Sequence, residues 1–250
     1  MPFLPTRRLR LPRSVSRASC RPTAASDPEG CDPFTRTHPF VIVHVQGRSL
    51  QDRRTVEENP LGHLLGVASL VIEYGGTEEQ ACAALLHDAI EDQKKTMADI
   101  KVKTGSAAIA RMVNECTESY KIPKGKHKNE VWAERKQWYI DHLRSKPSDS
   151  DSILVALADK VNNCEKTLRD FQEYNRNPQR LWRDFNAGDS CQKWWYEQLL
   201  EGFASKKLTG PQKRLVARFE EAVTALFGGR QIIDCDRKHQ HWHDLPKGAK

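Results

Sequence analysis

No apolar run in this 250-residue chain approaches the roughly 18 residues that a bilayer span needs, so no transmembrane segment is expected. A Gly-rich phosphate loop is missing, and no serine sits in a G-x-S-x-G elbow. Those absences set aside P-loop chemistry and Ser-His-Asp acyl transfer. Strand pairs joined by a hairpin turn are also lacking; only the short apolar run Phe40–Val45 reads as a strand or the start of a helix. The seven cysteines (Cys20, Cys31, Cys82, Cys116, Cys164, Cys191, Cys235) are odd in number, scattered and without C-x-x-C spacing. That pattern speaks against a disulfide framework or a cysteine zinc site and points to a reducing compartment. Cys82 and Cys116 fall in helix-like segments and read as small core fillers.

An excess of charge is missing too, once the formal +7 is located. The first 26 residues hold six Arg (Arg7, Arg8, Arg10, Arg13, Arg17, Arg21), no Lys and no acid. Without them, 34 basic residues face 33 acidic ones, so the rest of the chain is nearly neutral and no nucleic-acid partner is expected. Residues 1–36 are rich in Pro, Arg and Ser and show no apolar periodicity. They read as a disordered leader, a transit segment or upstream sequence from a mis-chosen start. The expected compartment is the cytoplasm, with organelle import through that Arg/Ser-rich start as the alternative.

What is present is helical periodicity. Leu61, Leu64, Leu65, Ala68, Val71 and Ile72 follow helical spacing, and Gly75-Gly76 ends the segment. Thr77-Glu78-Glu79-Gln80 reads as a cap and acidic first turn opening a helix that carries His87 and Asp88. Thr96 caps a short helix closed by Gly105; further helices are predicted over 106–119, 131–143, 152–168, 194–204 and 211–227. The organisation is one all-α domain over residues 40–228, with a polar tail at 229–250.

The chemistry concentrates in Leu85-Leu86-His87-Asp88-Ala89-Ile90-Glu91-Asp92, where an imidazole and three carboxylates follow an apolar run. Residues four apart share a helical face, which places His87 above Glu91 and Asp88 above Asp92. A buried helix that turns this polar must satisfy those groups, and a divalent metal with an activated water does so economically. His63 and Asp159 also lie on or beside apolar helical faces. Two imidazoles and two carboxylates suit Mn²⁺, Fe²⁺ or Zn²⁺. Taken singly, each has a plainer reading: a histidine on an amphipathic helix, a capping or salt-bridged His-Asp pair, a carboxylate paired with Lys160.

The order His63, His87-Asp88, Asp159 resembles the HD metal-dependent phosphohydrolases. His87-Asp88-Ala89-Ile90-Glu91-Asp92 resembles the HDxxED signature of the (p)ppGpp hydrolases of the RelA/SpoT family, including their small single-domain members. Leu157-Ala158-Asp159-Lys160-Val161-Asn162-Asn163 resembles that family's LADKxxN segment, and the likeness extends over roughly residues 50 to 227. The resemblance implies an HD-domain helical bundle with His63, His87, Asp88 and Asp159 holding the metal, most often Mn²⁺. Glu91 and Asp92 would position and deprotonate the attacking water. Arg53, Arg54, Lys160 and Asn163 would meet the substrate. The implied reaction is hydrolysis of the 3′-diphosphate of (p)ppGpp to GDP or GTP and pyrophosphate, without a synthetase half.

The sequence departs from that family in its approach to the first histidine (Glu57-Glu58-Asn59-Pro60-Leu61-Gly62) and at Asn162, where a histidine is frequent. These departures leave the metal ligands intact and bear on which nucleotide is taken. The alternatives are an HD hydrolase of a dNTP, a nucleoside monophosphate or NADPH, and a (p)ppGpp sensor without turnover. The basic loop Lys121–Lys128 reads as a solvated loop or a phosphate clamp. Trp194-Trp195-Tyr196 reads as an aromatic wedge or a base-stacking surface. His239, His241 and His243 lie in the tail and read as incidental rather than a loose metal site. Nothing in the sequence specifies an oligomeric state.

Overall fold

Capping side chains decide where several helices begin. In the computed structural model, which describes residues 60–127, 130–183 and 185–232, Thr77, Thr96 and Thr209 each accept a hydrogen bond from the backbone N–H three residues on. The side chain at that third position (Gln80, Asp99 or Gln212) accepts in return from the cap's own N–H. Each reciprocal pair satisfies two donors that a helix start leaves open. Two helix ends are set by Gly75 and Gly105, whose φ values of 82° and 71° lie in the left-handed region. A side chain makes that region costly, which is why glycine ends the helix there.

The helices in chain order are α1 (Pro60–Glu73), α2 (Glu78–Leu86), α3 (Ala89–Gln93), α4 (Met97–Thr104) and α5 (Ala107–Cys116). They continue with α6 (Trp132–Ser145), α7 (Ser152–Glu173), α8 (Pro178–Trp182), α9 (Asp189–Ala204) and α10 (Gly210–Phe227). There is no strand among the described residues, so the all-α expectation stands. None of these helices is long and apolar enough to cross a membrane. The described residues lie within a single compact unit.

At 22 residues, α7 is the axis of the bundle, with α1, α2, α5 and α10 packed around it. Leu154, Val155, Leu157 and Val161 are almost wholly buried along it. Burying such a side chain contributes about 1.5–3 kcal/mol. The helix runs past the predicted end at Leu168 because Phe171 still packs into the core. On the far side, Lys206 is buried and its ammonium donates to the carbonyls of Arg144 and Lys146, satisfying the open end of α6. Because α1 and α2 both lie on α7, His63, the α2–α3 junction and Asp159 converge.

Four features differ from the sequence reading. Regular helix stops at Leu86 and resumes at Ala89, so His87 and Asp88 form a turn rather than the interior of one helix. The short helix α8 was not anticipated, although Asn177 caps it and Pro178 stands at its first position. Helix α9 begins at Asp189, five residues before the expected Trp194. Cys191 is disulfide-bonded, whereas the cysteines were expected to be reduced; Cys82, Cys116 and Cys164 are free, as expected. The leader 1–36, the run Phe40–Val45, Arg53, Arg54, Lys128 and the tail histidines His239, His241 and His243 lie outside the described residues.

Candidate metal centre

The turn at His87-Asp88 has a local cause. Its backbone stays near right-handed values (φ −58°, ψ −30° at His87; φ −90°, ψ −1° at Asp88), but Nδ1 of His87 donates to the Ala84 carbonyl at 2.7 Å. On α1, Nδ1 of His63 lies 2.8 Å from Oδ1 of Asn162. A carbonyl oxygen only accepts, so Nδ1 carries a proton in both rings, and each Nε2 offers a lone pair once its imidazole is neutral.

Those two Nε2 atoms face each other 3.2 Å apart. Asp88 approaches His87 Nε2 at 3.2 Å and His63 Nε2 at 3.8 Å. Asp159 Oδ1 lies 3.4 Å and 3.5 Å from the same two nitrogens. One ligand atom from each of His63, His87 and Asp88 falls within 4.8 Å of the other two, and Asp159 joins through the imidazoles. Two lone pairs turned together between carboxylates repel unless a positive charge lies among them. The donor set therefore fits a divalent cation, with nitrogen and oxygen ligands suited to Mn²⁺, Fe²⁺ or Zn²⁺. That both Nδ1 atoms are tied to oxygen acceptors is what orients a ligating histidine.

Electrostatics of the bare site lean the same way. Burial works against a charged His87, but Asp159 and Asp88 outweigh it and lift the imidazole to about 9. His63 is raised as well: burial opposes its charge, and the Asp159 carboxylate overcomes that. Burial would raise the Asp159 carboxyl, yet the Lys160 ammonium at 2.6 Å and the two imidazoles hold it well below the usual range. Lys160 is the converse, disfavoured by burial and held well above its ordinary value by Asp159. The carboxylates that draw protons to Nε2 would draw a cation to the same place.

The centre opens into a cleft of about 320 Å³, and the residues expected there from sequence are placed as follows. Glu91 and Asp92 line it from α3, both on its exposed side. Although Glu91 is open to solvent on one side, burial of the rest and the nearby Glu118 carboxylate raise its carboxyl. Lys160 and Asn163 also line the cleft, but both are bonded to Asp159: Lys160 to Oδ2 at 2.6 Å and Asn163 Nδ2 to Oδ1 at 2.6 Å. The loop lysines Lys121, Lys124 and Lys126 are exposed and do not line the cleft.

Sequence reasoning missed Lys136 and Glu118, and it weighed Trp195 only as part of an aromatic wedge or base-stacking surface. Lys136, Glu118 and Trp195 lie in the cleft wall, with Lys136 Nζ 3.6 Å from Glu118 and 4.6 Å from the centre of the Trp195 ring. Burial pulls the Lys136 ammonium down to about 8. Trp195 is thus both a buried core residue, as the wedge reading expected, and a wall of the cleft. A second cleft of about 360 Å³, rimmed by Lys166, Phe185 and Gln192, shares Lys136, Lys160, Asn163 and Trp195 with the first. Lys136 was not singled out in the sequence, because the periodicity of α6 does not say which lysine faces a cavity.

Proton linkage gives a test in the metal-stripped protein. Folded His87 keeps its proton to about 9, whereas an unfolded imidazole releases it near 6.5, so this pairing supports the fold fully below pH 6.5. The support is lost as pH rises toward 9. Lys136, depressed to about 8 from 10.5, acts in the opposite direction, but only above pH 8. Melting temperature in chelator should therefore fall between pH 6.5 and 8. With Mn²⁺ the slope should flatten or reverse, because the ion competes with protons for Nε2. A melting temperature that rises over that window in chelator would contradict the assignment.

The HD domain family model matches residues 43–187 of the chain. The human guanosine-3′,5′-bis(diphosphate) 3′-pyrophosphohydrolase MESH1 is 30% identical over 185 residues, which are 73% of this chain and 87% of that protein. A guanosine-3′,5′-bis(diphosphate) 3′-pyrophosphohydrolase of Aquifex aeolicus is 34% identical over 126 residues, 50% of this chain and 17% of its own length. Among solved structures, a metazoan orthologue of SpoT described as hydrolysing ppGpp superposes with a TM-score of 0.56 at 21% identity, over 82% of this chain and 99% of its own. That last likeness concerns the fold alone. With the family match spanning more than half of the sequence, the chain belongs to the HD-domain family, in the branch that holds these pyrophosphohydrolases.

Proposed function

We propose that the protein is a metal-dependent guanosine-3′,5′-bis(diphosphate) 3′-pyrophosphohydrolase. The observation that carries the reading is the pair of imidazole Nε2 lone pairs turned together beside two carboxylates, at the floor of a cleft walled by Glu91 and two lysines. His63, His87, Asp88 and Asp159 would hold the ion, with Mn²⁺ preferred over Fe²⁺ or Zn²⁺. A divalent ion there acidifies a water and draws charge from the phosphoryl group.

The chain's own residues supply the rest. Glu91, its carboxyl raised by burial and the Glu118 carboxylate, takes the proton of the attacking water, and Asp92 orients that water. Water attacks the phosphorus joined to the ribose 3′ oxygen, that P–O bond breaks, and the 3′ hydroxyl leaves with a proton while pyrophosphate is released. Lys160, together with Arg53 and Arg54, offsets phosphate charge, and Lys136 adds a cation in the cleft wall. Asn163 carries a second N–H beyond the one given to Asp159, suited to a ribose or phosphate oxygen.

Full-length protein stripped with chelator and reloaded with Mn²⁺ should release pyrophosphate from ppGpp only after reloading. The same assay on dNTPs, nucleoside monophosphates and NADPH should give far less product. Binding of ppGpp without pyrophosphate in Mn²⁺ would replace the enzyme by a sensor. Preferential turnover of NADPH or a dNTP would keep the centre and change the substrate.

A further inference from the structure

We infer that Asn162 fixes the tautomer and aim of His63, and that Gly66 is glycine to make room for it. Both are positioning residues, and the inference rests on the reading of His63 as a metal ligand. Asn162 stands three residues after Asp159 on α7, one helical turn away from it, and its side chain crosses to α1, 99 residues distant in sequence. Its Oδ1 accepts from His63 Nδ1 at 2.8 Å, which leaves the Nε2 lone pair facing His87 and Asp159. An amide turned the other way would offer a donor to Nδ1 and send the ring proton to Nε2, into the cation site.

The amide is held against α1 by a close approach. A Cβ on Gly66 would come within 2.5 Å of Asn162 Nδ2 and 3.4 Å of its Cγ. Gly66 lies three residues after His63, so the amide fills the bare turn directly beside the imidazole. A glycine inside a helix costs stability relative to alanine, and Gly66 has no positive φ to justify it. Gly62, one turn earlier, makes the contrast: a Cβ there would meet nothing within 4 Å. The space at Gly66 is taken by the orienting residue of a ligand.

Mn²⁺ affinity of the full-length protein, by chelator competition, tests this directly, with melting in chelator as the control for folding. Asn162→Leu, which removes the acceptor, should weaken Mn²⁺ about 10- to 100-fold, the usual effect of losing a partner behind a metal ligand. Asn162→Asp keeps an acceptor on Nδ1 and should retain or tighten binding. Gly66→Ala should weaken binding when Asn162 is present and change it little in an Asn162→Ala background, where the methyl has room. Wild-type affinity in Asn162→Leu, or an equal loss from Gly66→Ala in both backgrounds, would overturn the inference alone. A wild-type protein that bound no divalent ion would take down the ligand reading of His63 as well.

Discussion

Asp159→Ala is expected to yield a protein that holds no divalent ion and releases no measurable pyrophosphate. The carboxylate has three duties at once: Oδ1 faces both imidazoles at 3.4 and 3.5 Å, Oδ1 also accepts from Asn163, and Oδ2 neutralises Lys160 at 2.6 Å. Removing it takes one ligand away and leaves the Lys160 ammonium buried without its counter-ion. Breaking one side of such a buried pair costs about 3–5 kcal/mol, so the single variant should also unfold at lower denaturant. The two losses separate in the double variant Asp159→Ala, Lys160→Met. An apolar side chain of similar length can rest on the Tyr139 ring, where Lys160 Nζ now sits 4.8 Å from the centre. Denaturation in chelator should recover most of the stability, while Mn²⁺ binding and turnover stay lost. Mn²⁺ binding at wild-type strength in either variant would remove Asp159 from the ligand set.

Which parts of this arrangement could be read from sequence follows from how local their causes are. Thr77, Thr96, Gly75 and Gly105 act within one turn of themselves, and each stands where the pattern put it. His63, His87, Asp88 and Asp159 were legible because charge on an apolar helical face is costly anywhere in the chain, and the structure does bring them together. The interruption at His87-Asp88 was not legible, since it coincides with a bond from the His87 side chain to the Ala84 carbonyl rather than with a breaker residue. Asn162 was seen only as a departure from the family pattern; its contact with His63 needs α1 and α7 to be side by side. Glu118, Lys136 and Trp195 meet in the cleft from separate segments, and no spacing encodes that. Lys160 and Asn163 were expected at the substrate, and both also bond Asp159.

Glu91→Gln should keep the ion and lose the rate. The side chain lines the cleft one turn beyond His87 and is not one of the three residues whose ligand atoms cluster within 4.8 Å. Mn²⁺ affinity should therefore stay close to wild type. Glutamine keeps the shape but cannot take a proton, so kcat for pyrophosphate release should fall about 100- to 10,000-fold, the range of a lost general base. The wild-type pH profile carries the same signature. Burial and the Glu118 carboxylate raise the Glu91 carboxyl, so its base form is depleted as pH falls through a value above the ordinary glutamate range. That depletion should appear as an acid limb in kcat/KM for the wild type and be missing in Glu91→Gln. Asp92→Asn, which disturbs the water without removing the base, should lower kcat less than Glu91→Gln and preserve the acid limb. If Glu91→Gln lost Mn²⁺ together with activity, Glu91 would belong to the ligand set. If it kept full activity, the base would have to be sought elsewhere, with Asp92 the next carboxylate along the cleft.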